Sequence, residues 1–137
     1  MSKYYIDSNV FLYAKILDRR FGRPCAKIVE AIFKGELDAA TSVLTPIEVA
    51  NALRKYGFKR EDVRNTVNAM LSLDMEVYEL DRVDVMEAIR ISEEFDISPY
   101  DAVHVAIMKK AGITLILSAD KDFDKVAGIK RIDPEEF

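Results

Sequence analysis

Histidine, cysteine and tryptophan are almost missing from this chain: one His, one Cys and no Trp occur among 137 residues. The lone Cys25 cannot close an intramolecular disulfide, and with no second thiol or nearby His it reads as a small buried hydrophobe. A single imidazole leaves no His-rich zinc centre. Neither GxxxxGK[ST] nor GxGxxG occurs, which removes two common backbone cradles for nucleotides. No apolar run is long enough to span a bilayer and no secretory leader is visible, so the expected location is cytoplasmic. With four Pro and five Gly there is no linker or low-complexity stretch, and residues 1–137 are expected to form one domain.

An excess of basic charge is also lacking. The net charge is −4, which does not advertise a nucleic-acid binder. The distribution is nevertheless uneven. Residues 1–64 hold twelve Lys/Arg against eight Asp/Glu, whereas residues 65–137 hold eight against sixteen. Basic side chains gather at Lys15, Arg19, Arg20, Arg23 and Lys27, and again at Arg54, Lys55, Lys59, Arg60 and Arg64. Such clusters are either a solvated face or a surface that tracks phosphates.

Half of the residues are hydrophobic, and their spacing alternates between two periods. Tyr4-Tyr5-Ile6 reads as a short strand running into Asp7, and Val10 to Ile16 as a first helix. Pro24 fits the first turn of a second helix carrying Ile28, Val29, Ile32 and Phe33, which Gly35 stops. Leu37 to Ser42 is a weak strand. Thr45-Pro46-Ile47-Glu48 has the form of a helix start, with Thr45 as cap and Glu48 three residues on. A fourth helix near Lys59 is expected to bury Val63, Val67, Met70 and Leu71. Glu76-Val77-Tyr78 is a third strand. Asp81 opens a helix expected to turn Val85, Ile89 and Phe95 inward. Ser98-Pro99-Tyr100-Asp101 repeats the helix-start signal, and the helix from Ala102 to Ala111 is apolar enough to be central. Thr114 to Leu117 is a strand buried on both faces, and Lys130-Arg131-Ile132 an edge strand. Strands alternating with helices predict an α/β fold, a three-layer α/β/α sandwich around a parallel sheet of four to five strands.

In such a sheet, chemistry gathers beyond the carboxyl ends of the strands. Asp7 and Asp120 follow strands there, and Glu48 and Asp101 stand near helix starts on the same rim. Glu48 and Asp101 fit a capping box, and Asp7 and Asp120 fit turn or cap formers. A shared rim adds a second reading compatible with the first. Crowded carboxylates repel one another unless a cation lies among them, and hard oxygen donors select Mg2+ or Mn2+. Such an ion binds phosphate oxygens and activates water for attack on phosphorus. Asn9 and Ser118, each two positions from an acid, would either steady water at the ion or act as local caps, Asn9 of the first helix and Ser118 of a turn. His104, one helical turn beyond Asp101, would bond that carboxylate, touch a substrate phosphate or serve as a structural histidine at the site edge.

The segments Tyr5-Ile6-Asp7-Ser8-Asn9, Thr45-Pro46-Ile47-Glu48-Val49, Ser98-Pro99-Tyr100-Asp101-Ala102-Val103-His104 and Leu117-Ser118-Ala119-Asp120-Lys121-Asp122-Phe123, in that order and spacing, resemble the PIN-domain nucleases. In size and layout the chain is similar to stand-alone VapC-type toxins of type II toxin–antitoxin pairs. The resemblance implies a PIN-like fold, with Asp7, Glu48, Asp101 and Asp120 as the acids that bind Mg2+ or Mn2+ and catalyse, and Asp122 as a further acid. It also implies a ribonuclease acting on single-stranded or structured RNA, a homodimer, and a small antitoxin partner. Rival expectations are a phosphoacceptor signalling domain, an aspartyl phosphatase, and a non-catalytic metal-binding or interaction module. The two rivals based on phosphoaspartate want a second acid beside the first strand, where Asn9 stands.

Overall fold

Short apolar strands can be buried on both faces only if helices cover both sides of the sheet. The computed structural model, which describes residues 2–137, has that arrangement. Five strands, β1 (Tyr4–Ile6), β2 (Ala39–Ser42), β3 (Glu76–Tyr78), β4 (Leu115–Leu117) and β5 (Lys130–Ile132), pair in parallel in the order β3-β2-β1-β4-β5. Six helices connect them: α1 (Ser8–Ile16), α2 (Gly22–Phe33), α3 (Leu44–Lys55), α4 (Arg60–Leu71), α5 (Arg82–Phe95) and α6 (Pro99–Ala111). A 3₁₀ turn, Lys121–Lys125, follows β4.

Strand alternation sorts the core into two halves. Tyr5, Ala40 and Ile116 point to one face and pack with Ala88 and Ile91 of α5 and with Ala102, Val105 and Met108 of α6. Ile6, Ala39 and Leu117 point to the other face and pack with Val10, Ile28, Val49 and Met70 of α1 to α4. The result is the expected three-layer sandwich, with β1 at its centre. As expected, α6 is enclosed over most of its length, and it ends at Gly112, whose φ of +73° suits a residue without a side chain. None of the helices is long and apolar enough to cross a membrane among the described residues.

Two expectations about helix faces need correction. In α5, Val85 and Ile89 are each 46% exposed, and the buried stripe is Asp84, Ala88 and Ile91. The reason lies at the helix start. Asp81 and Asp84 form a reciprocal capping box, with N–H to carboxylate distances of 2.9 and 3.0 Å, and Lys110 of α6 reaches Asp84 at 3.3 Å. Those polar bonds fix the rotation of α5 and turn the 84–88–91 stripe toward α6. In α4 only Met70 is buried, and Leu71 is half exposed. This helix packs chiefly on α3 at the margin of the domain, so of its twelve residues Met70 alone is buried, with Val63 packed partly against the core.

Because the Asp84 carboxylate serves both the N-terminus of α5 and Lys110, Asp84→Ala should cost about 1–2 kcal/mol. Exposed Glu93→Ala on the same helix should stay within about 0.5 kcal/mol. Urea unfolding of both variants measures the difference.

Candidate metal centre

With all five strands parallel, their carboxyl ends share one rim, and β1 delivers Asp7 to its middle. Asp7 is 3% exposed. Its Oδ1 accepts the Ser8 backbone N–H at 2.8 Å, which makes Asp7, not Asn9, the cap of α1. Its Oδ2 accepts the Asn9 amide at 3.0 Å and the Ser118 hydroxyl at 2.6 Å. Ser118 Oγ in turn accepts the Asp120 N–H at 2.9 Å, and Asp120 caps the 3₁₀ turn by accepting the Asp122 N–H at 2.9 Å. Asn9 also reaches over to the post-β4 loop, accepting the Ala119 N–H at 3.2 Å. Arg131 of β5 holds the loop from beneath, donating to the Ser118 carbonyl at 3.0 Å. Asn9 and Ser118 therefore join the acid after β1 to the acid after β4.

Glu48 reaches the rim differently from the sequence expectation. The helix begins at Leu44, one residue before the expected cap, and Thr45 makes no cap. Its hydroxyl is buried and lies 2.6 Å from Thr41 Oγ1, which is also 2.9 Å from the Ile6 carbonyl oxygen. Glu48 thus lies beyond the first turn and does not share in a capping box. At Asp101 half of the expected box forms: Ser98 Oγ accepts the Asp101 N–H at 3.1 Å, while the Asp101 carboxyl is turned to Asp120.

Of the three places expected for His104, the structural one at the edge of the site matches the ring's surroundings. It is fully enclosed, which places it out of reach of a substrate phosphate, and its partner is not Asp101. Nε2 lies 2.6 Å from Glu48 Oε1 and 3.7 Å from Asp7 Oδ1, and Nδ1 lies 2.6 Å from the Tyr5 hydroxyl. Both ring nitrogens are engaged, so the imidazole is not free to ligate. Tyr5 escaped the sequence reading, although it lies two residues before Asp7 on a strand and so shares its face. Arg131 and the Thr41–Thr45 pair carried no usable signal.

The acids form two adjoining groups. Asp7 and Glu48, with His104, bring ligand atoms within 4.8 Å of one another, and so do Asp101, Asp120 and Asp122. Asp122 lies outermost, 3.4 Å from Lys125. Burial raises the pKa of Asp7, against the opposing effects of the His104 charge and the Ser118 hydrogen bond. Asp101 is pushed up to about 7, first by burial and then by the charges of Asp7 and Asp120. For His104, burial favours the neutral ring. The Tyr5 oxygen, the bond to Glu48 and the charge of Asp7 outweigh it and hold the pKa well above the usual 6.5. Asp101 stands close enough to Asp7 and Asp120 that it retains its proton to about pH 7. The donors are hard oxygens from four separate segments, the chemistry suited to Mg2+ or Mn2+. Beside Glu48 opens a cleft of about 600 Å³ lined by Ser8, Ile47, Asn51, Lys55 and Tyr100.

Comparison with known proteins follows the same lines. The family model for the PIN domain matches residues 4–129. Ribonuclease VapC13 of Mycobacterium tuberculosis is 27% identical over 129 residues, covering 93% of this chain and 97% of that protein. Among solved structures, VapC20 of Mycobacterium tuberculosis, described as a sarcin-ricin-loop-cleaving toxin, superposes with a TM-score of 0.76 at 18% identity. The match covers 93% of this chain and 97% of the other. DNA-bound VapBC from Salmonella typhimurium gives a TM-score of 0.71 at 18% identity, covering 98% and 99%.

The raised Asp101 pKa makes a signed prediction. Its folded value lies above the unfolded 3.8, so the folded state binds the extra proton. That contribution to stability is full below pH 4 and is lost as pH rises through about 7. Metal-free protein should therefore melt lower at pH 8 than at pH 5.5. Asp101→Asn should gain on the order of 1–2 kcal/mol over the wild type at pH 8, after allowance for solvent screening. Excess Mg2+ should remove that advantage. Thermal melts of both proteins at the two pH values, with and without Mg2+, read the effect.

Proposed function

The chain belongs to the PIN-domain family, and from that premise we propose that it is a divalent-metal-dependent ribonuclease, the toxin of a toxin–antitoxin pair. The observation that carries the reading is the gathering of acids from four distant segments into two adjoining groups, Asp7 with Glu48 and Asp101 with Asp120, with Asp101 feeling the charge of Asp7. In this reading these four hold Mg2+ or Mn2+ and are the catalytic acids, with Asp122 contributing at the outer edge. When bound, the ion supplies Lewis-acid polarisation of a phosphoryl oxygen and makes water nucleophilic near neutral pH. The chain's own groups do the rest. Ser8 holds Asp7 Oδ1, and Asn9 and Ser118 hold Oδ2, so that Asp7, at the end of β1, and Asp101, in the first turn of α6, form the fixed part of the site. Lys55 and Asn51, in the cleft beside Glu48, offer a cation for the RNA backbone and an amide for a base edge. The local Lys55 charge offsets an overall negative chain.

RNA as the substrate is supported by the relatives: VapC13 is named a ribonuclease and VapC20 a toxin that cleaves the sarcin-ricin loop. An antitoxin partner is supported by structures of toxin–antitoxin complexes with the same fold. The surface offers it an apolar trough between α1, α2 and α4, lined by Phe11, Ala14, Val29, Ala69, Met70 and Leu73. A homodimer is supported by the exposed side chains Val83, Val85, Met86 and Ile89 on α5, an apolar stripe that a second copy would cover.

Asp7→Asn and Asp101→Asn should each lower Mg2+- or Mn2+-dependent cleavage of a single-stranded RNA by more than about 100-fold, beyond the 10–100-fold typical of residues one layer from a metal. Their circular dichroism should match the wild type, and EDTA should abolish wild-type cleavage. Undiminished cleavage by folded Asp7→Asn sinks the assignment. Tight Mg2+ binding without cleavage of any RNA points to a binding module instead.

A further inference from the structure

The geometry points to Tyr5 and His104 as positioning residues: a buried brace that sets the Glu48 carboxylate in the metal site without either ring touching the ion. The inference rests on the metal-site reading above and adds to it how the fourth acid is held.

Glu48 needs such a brace more than the other acids do. Asp7 is fixed by three hydrogen bonds from Ser8, Asn9 and Ser118, and Asp120 accepts from the next turn. Glu48 has the longest side chain of the four and therefore the most torsions to fix. Its helix, α3, lies in the layer opposite α6 and packs mainly on α1 and α4. Among the described residues one hydrogen bond reaches its carboxylate, from His104 at 2.6 Å. That bond passes over the rim of the sheet and joins the two helical layers at the site.

The bond has a defined direction. The Tyr5 hydroxyl is enclosed, and its partner among the described residues is His104 Nδ1. In the neutral ring Tyr5 donates to Nδ1 and Nε2–H donates to Glu48; in the protonated ring Nδ1–H donates to the Tyr5 oxygen and Nε2–H still donates to Glu48. Glu48 therefore receives the same donor in either charge state. Tyr5 comes from β1, the central strand, and its ring is 0% exposed. The brace is therefore anchored in the most rigid part of the fold. A hydrogen-bonded group behind a ligand typically changes metal affinity 10–100-fold.

Mg2+ titration calorimetry on His104→Met, His104→Gln and Tyr5→Phe, alone and with Glu48→Gln, tests the brace. His104→Met keeps the volume and removes the donor, and it should weaken Mg2+ binding about 10–100-fold. Tyr5→Phe should weaken it about 3–10-fold. His104→Gln, which retains an N–H within reach of Glu48, should stay within about threefold of the wild type. With Glu48→Gln already present, His104→Met should add less than about twofold, because its effect passes through that carboxylate. In RNA cleavage the loss should appear as a higher Mg2+ requirement, with the KM for RNA unchanged. The chain has a single His, so imidazole NMR reads the brace directly: the Nε2–H proton should exchange slowly in metal-free wild type and rapidly in Tyr5→Phe. Unchanged Mg2+ affinity in folded His104→Met or Tyr5→Phe, or an equal loss in the Glu48→Gln background, overturns the brace and leaves the nuclease reading standing. If His104→Met does not fold, Tyr5→Phe decides. A wild type that binds no Mg2+ overturns both.

Discussion

A carboxylate buried at the end of the central strand is the constraint around which this molecule is arranged. Taking an ionised Asp out of water costs several kcal/mol unless bonds and counter-charges replace its hydration. Asp7, at 3% exposure, receives three hydrogen bonds and has a histidine ring 3.7 Å away. Those groups come from three places: Ser8 and Asn9 from the start of α1, Ser118 from the loop after β4, and His104 from α6. The parallel sheet makes this possible, because β1 lies between β2 and β4 and both neighbours end at the same rim. An antiparallel strand on either side would carry its following loop to the opposite edge.

The hydrogen bonds around Asp7 do not neutralise the site. Asp101 retains its proton to about pH 7, and the Asp7 pKa is also raised, so the folded chain concentrates more negative charge than its own donors can balance. The enclosed His104 ring lies between Asp7 and Glu48, and their oxygens and that of Tyr5 hold its pKa well above the usual 6.5. The second group, Asp101, Asp120 and Asp122, has Lys125 as its ion-pair partner among the described residues, at its outer edge. A fold that pays this electrostatic cost gathers hard oxygen donors of the kind that suit a divalent ion. The acidic bias of the second half of the sequence is therefore partly a property of the site: two of its four acids, and the outer Asp122, lie there.

Much of this was legible in the sequence, and the failures have identifiable causes. Strand and helix order followed from periodicity, and the Leu115–Leu117 strand and the Ser98 cap formed as expected. Faces of helices were less secure. At α5 apolar spacing alone pointed to Val85 and Ile89, but the Asp81–Asp84 box and Lys110 fixed a different rotation. At α3 the Thr45-to-Glu48 spacing matched a capping box, yet a buried threonine on β2 was the stronger partner for Thr45. Local signals fail where a polar group finds a partner distant in sequence, since spacing carries no information about that partner. The same limit hid Arg131, whose contact with Ser118 crosses from β5 to the loop after β4.

The residues that support the acids nonetheless obey a simple spacing once the elements are known. Tyr5 on β1 and Asp7 just beyond its end are two apart, and Ser118 and Asp120 are two apart leaving β4, the separation at which an extended chain returns to one face. Thr45 and Glu48 are three apart on α3, and Asp101 and His104 three apart on α6, the separation of neighbours along a helix face. Each of the four segments thus carries one acid and one polar brace on a common side. The braces then bond across segments: Tyr5 to His104, Ser118 to Asp7, Thr45 to Thr41 and through it to the end of β1. An acid displaced on any one segment would carry its brace with it and disturb an acid on another. The site is consequently specified as a unit, by periodicity within each element and by hydrogen bonds between them.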